Sequence, residues 1–144
     1  MSKQYELTRS RRMTNRFVAF MAKRGKGPAW QLTTTGRKSG ERRHVMVTPV
    51  TVDGIEYLVA PYGSVSWVLN LRASDRATLA RGAATSRVRA IEVDGEEAGK
   101  ALARYYNENT KYVADYFELA AHPTIVDFTR VTDQHPVFRV EHPM

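Results

Sequence analysis

Short segments rich in β-branched and aromatic residues recur along the chain, and they predict β-strands. In order, these segments are AWQLTTT (29–35), HVMVTPVTV (44–52), IEYLVAP (55–61), ATLARG (77–82), SRVRAIEVDG (86–95) and HPVFRVEHP (135–143). Pro49 predicts an edge position or a bulge in the second segment, because proline cannot donate a ladder hydrogen bond. Asp53-Gly54 predicts a type I′ hairpin turn, and Gly82 predicts the turn of a further antiparallel pair.

Apolar residues three to four positions apart mark the helical segments. This spacing predicts helices over 8–23, 66–75 and 95–109. A second C-terminal helix is predicted over 110–120, ending at His122–Pro123. Antiparallel strands combined with a few helices predict an α+β domain or a small barrel.

The composition is that of a globular protein. A length of 144 residues and a hydrophobic share of 42% fit one packed domain over 1–144, which opens with a basic helical segment at 1–27. No apolar run is long enough to cross a bilayer and no signal-peptide pattern is present, so a cytoplasmic location is expected. The absence of cysteine excludes thiol chemistry, so any redox reaction needs a bound cofactor.

Positive charge is concentrated in the first third of the chain. The formal net charge is +7, but residues 1–43 alone carry +10 and the remainder carries −3. Within this part, TTTGRKSGERRHV (33–45) places four cations around two glycines. Tight glycine turns let backbone N–H groups and basic side chains converge on phosphate. The segment is not a P-loop, because Arg37 stands where that pattern requires glycine.

Three motifs, TTTGRKSGERR, VAPYG and WVLNLRA, follow one another in the chain. In this order and spacing they resemble the deazaflavin-dependent nitroreductase family, whose members use coenzyme F-420, an 8-hydroxy-5-deazaflavin. The resemblance covers about residues 14–94. It implies a split β-barrel with six antiparallel strands and flanking helices. It also implies an oxidoreductase that transfers hydride from reduced deazaflavin to an activated alkene, a quinone or a nitro compound.

The same resemblance implies which residues bind the coenzyme. The GRKSG loop and the arginine that follows would hold its phosphate and acidic tail, through Arg37, Lys38, Ser39 and Arg43. The next strand would line the ring, the VAPYG loop would meet the ring edge, and the W-x-x-N-L segment would pack and hydrogen-bond nearby. These residues are His44, Val45, Met46, Val47 and Thr48, then Ala60, Pro61, Tyr62 and Gly63, then Trp67 and Asn70.

The small-molecule acceptor of the hydride also needs a proton, and tyrosines in the C-terminal third supply it in some relatives. Tyr112 and Tyr116 are therefore the catalytic candidates, with Tyr105 and Tyr106 behind them. Their helical spacing equally suits half-buried packing residues. The histidines have no metal-binding spacing, so no metal is expected, and no Ser-His-Asp arrangement is indicated.

Met46 departs from the family pattern, in which proline is common beside the ring. This leaves open a split-barrel protein that binds FMN, haem or a fatty acid instead and lacks the reductase activity, although the short tail of FMN needs less positive charge. Nucleic acid is not expected, because no known motif accompanies the basic stretches. The N-terminal helix suits peripheral contact with an anionic membrane surface, and a homodimer is compatible with the fold.

Overall fold

The computed structural model describes residues 29–117, 119 and 122–142. In this part of the chain the elements are β1 (Trp30–Thr35), β2 (Arg42–Val47), β3 (Val50–Val52), β4 (Ile55–Val59), α1 (Ser66–Ala73), β5 (Arg76–Arg81), β6 (Ala84–Val93), α2 (Gly95–Val113), a 3₁₀ turn (Ala114–Tyr116), α3 (Ile125–Arg130) and β7 (Val137–Glu141). The predicted helix over 8–23 lies outside the described residues. No helix among them is long and apolar enough to span a membrane.

The strands form one antiparallel sheet in the order β2-β1-β5-β6-β7-β4-β3. Its edge strands, β2 and β3, are separated in sequence only by Thr48 and Pro49. A flat sheet of this width would hold its edges about 29 Å apart, at ~4.8 Å per strand, whereas three residue steps span at most about 11 Å. The sheet must therefore curl. The expected antiparallel α+β barrel is confirmed, but the prediction of six strands is wrong, because the described chain has seven.

The extra strand arises at Pro49. The predicted strand over 44–52 is divided there into β2 and β3, which lie at opposite edges of the sheet. The type I′ turn is confirmed: Asp53 and Gly54 have φ of 52° and 79°, and their flanking residues pair across the hairpin. The turn at Gly82, with φ of 60°, joins β5 to β6 as expected.

Two apolar layers cover the two faces of the sheet. Inside the curl, α1 packs on the strands in a core that includes Leu32, Leu58, Val68, Leu71, Leu79, Val88 and Phe138. On the outer face, α2 and α3 cover β3, β4 and β7 in a second core that includes Tyr57, Val59, Leu102, Tyr105, Phe128 and Val137. The alternation along β7 shows the period of two, because Val137 and Phe138 belong to different layers.

The C-terminal helices differ from the prediction. The predicted boundary at 109 is a kink within α2, where Asn109 has non-helical φ and ψ of −128° and 18° and two helical segments meet. The Asn109 side chain donates to the carbonyl of Tyr105 at 2.9 Å, which gives the chain a local alternative to the helical ladder. A helical segment does follow the kink, as predicted, but it is shorter than 110–120, because it ends at Val113 and the 3₁₀ turn Ala114–Tyr116 comes next.

Helix α3 was not predicted from the sequence. It begins with a capping box, in which the Thr124 side chain accepts from the backbone of Asp127 and Asp127 accepts from the backbone of Thr124. A T-x-x-D pattern ahead of an apolar residue is the signal for such a start. Helices α2 and α3 cross closely at Gly99, where an added Cβ would collide with the Oγ1 of Thr129.

Candidate functional site

The basic loop of the first motif forms the turn between β1 and β2. Its backbone closes on itself: the N–H of Gly36 donates to the carbonyl of Glu41 at 2.7 Å, and the N–H of Gly40 donates to that of Gly36 at 2.8 Å. Gly40 has φ of 73°, and a Cβ at Gly36 would lie 2.8 Å from the Oγ of Ser39. The turn thus requires both glycines, and it leaves the basic side chains around it exposed.

Asn70 joins this loop to α1. Its side chain is buried, with a relative exposure of 3%. Its Oδ1 accepts from the backbone N–H and from Nη1 of Arg37, at 3.1 and 2.9 Å. Its Nδ2 donates to the Oγ1 of Thr34 at 3.1 Å. Arg37 Nη1 also lies 3.5 Å from the carbonyl of Ser66. Asn70 therefore fixes the first cation of the loop beside the start of α1.

The other loop cations are more weakly held. Arg43 lies 3.5 Å from the Oγ of Ser39 and 3.5 Å from the carboxylate of Glu41. Both charged side chains of this pair are more than half exposed, and such pairs contribute only about 0–1 kcal/mol. Lys38 is exposed and forms no ion pair with any residue that the structure describes. Both cations can therefore turn to a ligand anion at little cost.

The residues predicted to line a ring alternate along β2. Val45 and Val47 pack towards the core inside the curl, whereas His44 and Met46 belong to the opposite face. His44 Nδ1 lies 2.8 Å from the Oγ1 of Thr33, its register partner on β1. Because successive side chains point to opposite faces, a ligand on one face of β2 contacts one of these pairs. Thr48, half-buried, follows at the connection to β3.

The VAPYG motif forms the loop between β4 and α1. Ala60 is buried, and its N–H donates to the carbonyl of Pro136 at 2.8 Å. Gly63 has φ of 90°. The half-buried ring of Tyr62 meets Tyr116 edge-on, with centroids 4.8 Å apart and planes at 73°. A predicted ring contact and a predicted catalytic residue therefore lie together.

The other tyrosines of the C-terminal third have different surroundings. Tyr105 is buried, and its burial raises its pKa, to which the neighbouring Tyr62 adds. Tyr106 packs instead against Phe117 and Phe128, with centroids 5.1 and 5.4 Å away. Tyr112 lies on α2, but its side chain is outside the described part of the molecule. Tyr116 is thus the catalytic candidate that the structure places beside a motif.

His135 is one of the histidines for which the sequence predicts no metal-binding role, and it was not predicted to belong to the site. It is buried, with an exposure of 3%, and Nδ1 donates to the carbonyl of Pro61 at 2.8 Å. Its ring stacks on Phe117 at 3.8 Å. Burial lowers its pKa and so favours the neutral imidazole, and Nε2 has no hydrogen-bond partner among the described residues. His135 thus holds the VAPYG loop in place.

Two residues of the third motif stabilise α1, the helix that follows the VAPYG loop. Trp67 lies in the core beside Phe138, with ring centroids 5.8 Å apart. Arg72 was not among the predicted site residues. It donates two hydrogen bonds of 2.8 Å to the carboxylate of Glu92 and one of 3.2 Å to the Oγ of Ser64. The described residues contain no group of histidines and carboxylates that could hold a metal ion.

The three motifs therefore converge on one end of the barrel. The GRKSG loop is hydrogen-bonded to α1 through Asn70, and the VAPYG loop leads directly into α1. This arrangement joins a cluster of exposed cations to a loop whose Tyr62 contacts Tyr116 of the 3₁₀ turn. It is suited to an extended ligand with an anionic end and a flat aromatic end.

The sequence profile of the F420H(2)-dependent quinone reductase family matches residues 7–126. No curated protein matches the chain in sequence. Among solved structures, an F420-H2 dependent reductase (FDR-A) is 28% identical, with a TM-score of 0.57 over 79% of this chain and 94% of that one.

Two further solved structures are similar. One described as a domain-swapped dimer is 26% identical, with a TM-score of 0.57 over 92% of this chain and 96% of that one. A conserved hypothetical protein from Mycobacterium tuberculosis is 15% identical, with a TM-score of 0.55 over 99% and 87% of the two chains. The last shares the fold alone. Together with the reductase, these structures confirm the split β-barrel class.

Proposed function

The chain belongs to the F420H(2)-dependent quinone reductase family, and we propose that it transfers a hydride from reduced coenzyme F-420 to a quinone, an activated alkene or a nitro compound. It is an oxidoreductase with coenzyme F-420 as its cofactor. The observation that carries the assignment of the site is the bond between the GRKSG loop and α1 through Asn70. It brings the three motif segments of the family into one place.

The charge of the loop fits this coenzyme. Its tail is a phosphodiester joined to several glutamates, so the bound molecule carries a phosphate and a series of carboxylates. Arg37 is fixed by Asn70, while Lys38 and Arg43 are exposed and weakly paired. We assign the phosphate to Arg37, Lys38 and Ser39, with Arg43 beside them. Cation–phosphate contacts of this kind weaken with salt.

The remaining residues position the reacting groups. When bound, the coenzyme supplies hydride from a carbon atom of its ring. One face of β2 lines the ring, and Tyr62 contacts its edge from the VAPYG loop, which the bond from His135 to Pro61 holds. Tyr116, in edge contact with Tyr62, donates a proton from its hydroxyl to the reduced acceptor. Of the candidate tyrosines, Tyr116 is therefore the proposed general acid.

We also propose that the chain is one domain and that two copies form a dimer. The similar structure described as a domain-swapped dimer supports the second statement. Membrane contact through the N-terminal helix was predicted for residues that lie outside the described part of the chain. A cytoplasmic location likewise stays a prediction.

The test is a fluorescence titration of the protein with oxidised coenzyme F-420, with FMN in parallel. We expect saturable binding of F-420 that is weaker at higher salt and at least about tenfold weaker in Lys38→Ala, since bonds to charged groups are worth about 1.5–3 kcal/mol. Lys100→Ala is the matched control, because Lys100 is exposed and lies on α2, paired with Glu96. Binding of FMN but not F-420 would contradict the proposal. An affinity for F-420 that is unchanged in Lys38→Ala would also contradict it.

A further inference from the structure

The imidazole of His135 has one nitrogen that makes no bond in the site described above. The ring is buried, and Nδ1 donates to the carbonyl of Pro61, so the neutral ring carries its proton on Nδ1. Nε2 therefore presents a lone pair, and it has no hydrogen-bond partner among the described residues. A buried polar atom without a partner is costly, and a buried cation without one costs far more. The structure around this ring therefore depends on its protonation state.

Two segments of the candidate site meet on this ring. On one side, the carbonyl of Pro61 belongs to the VAPYG loop and directly precedes Tyr62. On the other side, the ring stacks on Phe117, with centroids 3.8 Å apart and planes at 10°. Phe117 directly follows Tyr116, which is in edge contact with Tyr62. His135 is thus connected to both members of the tyrosine pair through a residue adjacent to each.

The surroundings of this imidazole favour its neutral form. Burial has the largest effect on its pKa and lowers it, whereas the bond to Pro61 and the carboxylate of Asp133 raise it. No basic side chain of the described residues contributes to the change in pKa. The titratable groups on the packed elements are the phenols of Tyr62 in the loop, Tyr116 in the 3₁₀ turn and Tyr105 in α2, and phenols carry no charge below pH 7. The imidazole is therefore the group that changes charge here between pH 7 and 5.

Protonation would give Nε2 a hydrogen that no described group accepts. A buried cation of this kind becomes stable when the ring reaches water or another acceptor. Since Nε2 is enclosed, its hydration requires that the ring leaves its stack on Phe117 or that the segment around it moves away from the VAPYG loop. The bond from Ala60 to Pro136 joins the same two segments, so the loop would move with them. Either movement removes the support of Tyr62.

We propose that His135 is a positioning residue of the candidate site and that binding of the coenzyme requires its neutral form. The coenzyme binds the arrangement in which the VAPYG loop is held, so protonation of His135 competes with binding. Affinity is then complete at pH values above the pKa of this ring and falls below it. By linkage, bound coenzyme must also weaken the binding of the proton. This inference rests on the proposed function and adds control of the same site by pH.

The test measures the dissociation constant of oxidised coenzyme F-420 by calorimetry between pH 7.5 and 5. The variant is His135→Asn, whose amide can donate to Pro61 but does not titrate in this range. The matched control is His122→Asn, because His122 is exposed and lies outside the three motifs. The titrating groups of the coenzyme affect all the proteins alike, so ratios between proteins isolate the effect of His135.

We expect the dissociation constant to rise at least about threefold more in the wild type than in His135→Asn, and by no more than about tenfold per pH unit, the limit for one proton. His122→Asn should follow the wild type. A second measurement needs no variant: the ring signal of His135, followed by NMR, gives its pKa with and without coenzyme. Saturating coenzyme should lower that pKa by at least about half a pH unit, which corresponds to a threefold change in affinity.

Two outcomes overturn this inference and leave the proposed function standing. One is saturable binding at pH 7.5 whose dependence on pH is the same in the wild type and in His135→Asn. The other is a pKa of His135 that is equal with and without bound coenzyme. A wild type that binds no coenzyme at pH 7.5 would remove the proposed function, and the role of His135 in binding with it.

Discussion

The carbonyl oxygen of Pro61 accepts a 2.8 Å hydrogen bond from Nδ1 of His135, which is 74 positions further along the chain. This bond ties the loop of the second motif to the segment that leads into β7, two residues before the strand begins. The neighbouring bond from Ala60 to Pro136 runs between the same two segments. The position of Tyr62 therefore depends on a buried imidazole that lies in none of the motifs.

Substitutions at His135 should separate its hydrogen bond from its bulk. We expect His135→Ala to lower the free energy of unfolding by about 2–4 kcal/mol, because it removes a buried bond and the stacking on Phe117. His135→Asn should cost less, since its amide nitrogen can replace Nδ1 as the donor to Pro61. The affinity for the coenzyme should follow the same order. Urea unfolding and coenzyme titration measure both, and equal values for the two variants would contradict the role of the bond.

The same imidazole should give the protein a dependence of stability on pH. Burial lowers the pKa of His135, so the unfolded chain is protonated first as the pH falls. The stabilisation is complete above about pH 6.5, the ordinary value, and is lost below it by up to about 1.4 kcal/mol per pH unit. Urea midpoints between pH 7.5 and 5 should therefore fall less steeply in His135→Asn than in the wild type. Parallel slopes would exclude this titration.

The carboxylate of Glu97 should also make the protein less stable as the pH falls, but in a lower pH range than His135. The hydrogen bond from Arg139 lowers the pKa of Glu97. Its contribution is complete above the unfolded value of about 4.3 and is lost as the pH falls below it. The pair is partly exposed, so we expect less than about 1 kcal/mol from it. Glu97→Gln should therefore change the urea midpoint only slightly at pH 7. The fall of the midpoint between pH 7.5 and 5 should be as steep as in the wild type.

Asn70 should matter for both stability and coenzyme binding. Asn70→Ala removes the acceptor of Arg37 and the donor to Thr34, so we expect a loss of about 1–3 kcal/mol in stability and weaker binding of the coenzyme. Thr34→Val is the companion variant, because it removes only the partner of Nδ2. It should lose stability while keeping Arg37 in place and the affinity close to that of the wild type. Equal losses of affinity in the two variants would argue against a role for Asn70 through Arg37.

The two glycines of the loop should respond differently to alanine. At Gly36 the added Cβ would lie 2.8 Å from the Oγ of Ser39 and 3.2 Å from the carbonyl of Glu41, so the turn must shift and coenzyme affinity should fall. At Gly40 nothing lies within 4 Å of the added Cβ, but φ is +73°. Gly40→Ala should therefore cost about 1 kcal/mol of stability from strain, with a smaller effect on binding. Titrations of both variants measure the difference.

Removal of one hydroxyl tests the proton donor. Tyr116→Phe should reduce kcat by about 10²–10⁴-fold if this phenol protonates the acceptor, with little change in KM for the coenzyme. Tyr106→Phe is the control, since the ring contacts of Tyr106 are with Phe117 and Phe128. A kcat that is unchanged in Tyr116→Phe would remove Tyr116 from the mechanism and leave its role as packing against Tyr62.

Local features of the sequence predicted most of the strands. The Asp53-Gly54 turn needs only the conformational freedom of two adjacent residues, so it was readable without the fold. The order of strands was not, because β7 enters between β6 and β4 and pairs with residues far away in sequence. The end of the second C-terminal helix was wrong for another reason. Val113, Tyr116 and Phe117 keep a helical spacing, although the helix ends at Val113 and a 3₁₀ turn follows.

The candidate site divides in the same way. Arg37, Asn70 and Tyr62 lie in contiguous motifs, and their family pattern indicated them. His135 has no such pattern, since its partner Pro61 is near only in space.

The placement of β7 has a consequence for how the chain reaches its native state. Three hairpins, β1–β2, β3–β4 and β5–β6, join neighbours in sequence and can form early. Strand β7 must then bridge from β6 to β4 over a large loop, a slow non-local step. Until it docks, β4 and β6 present open edges that can capture the same strand of another copy. We expect refolding to be rate-limited by this step and its yield to fall as protein concentration rises.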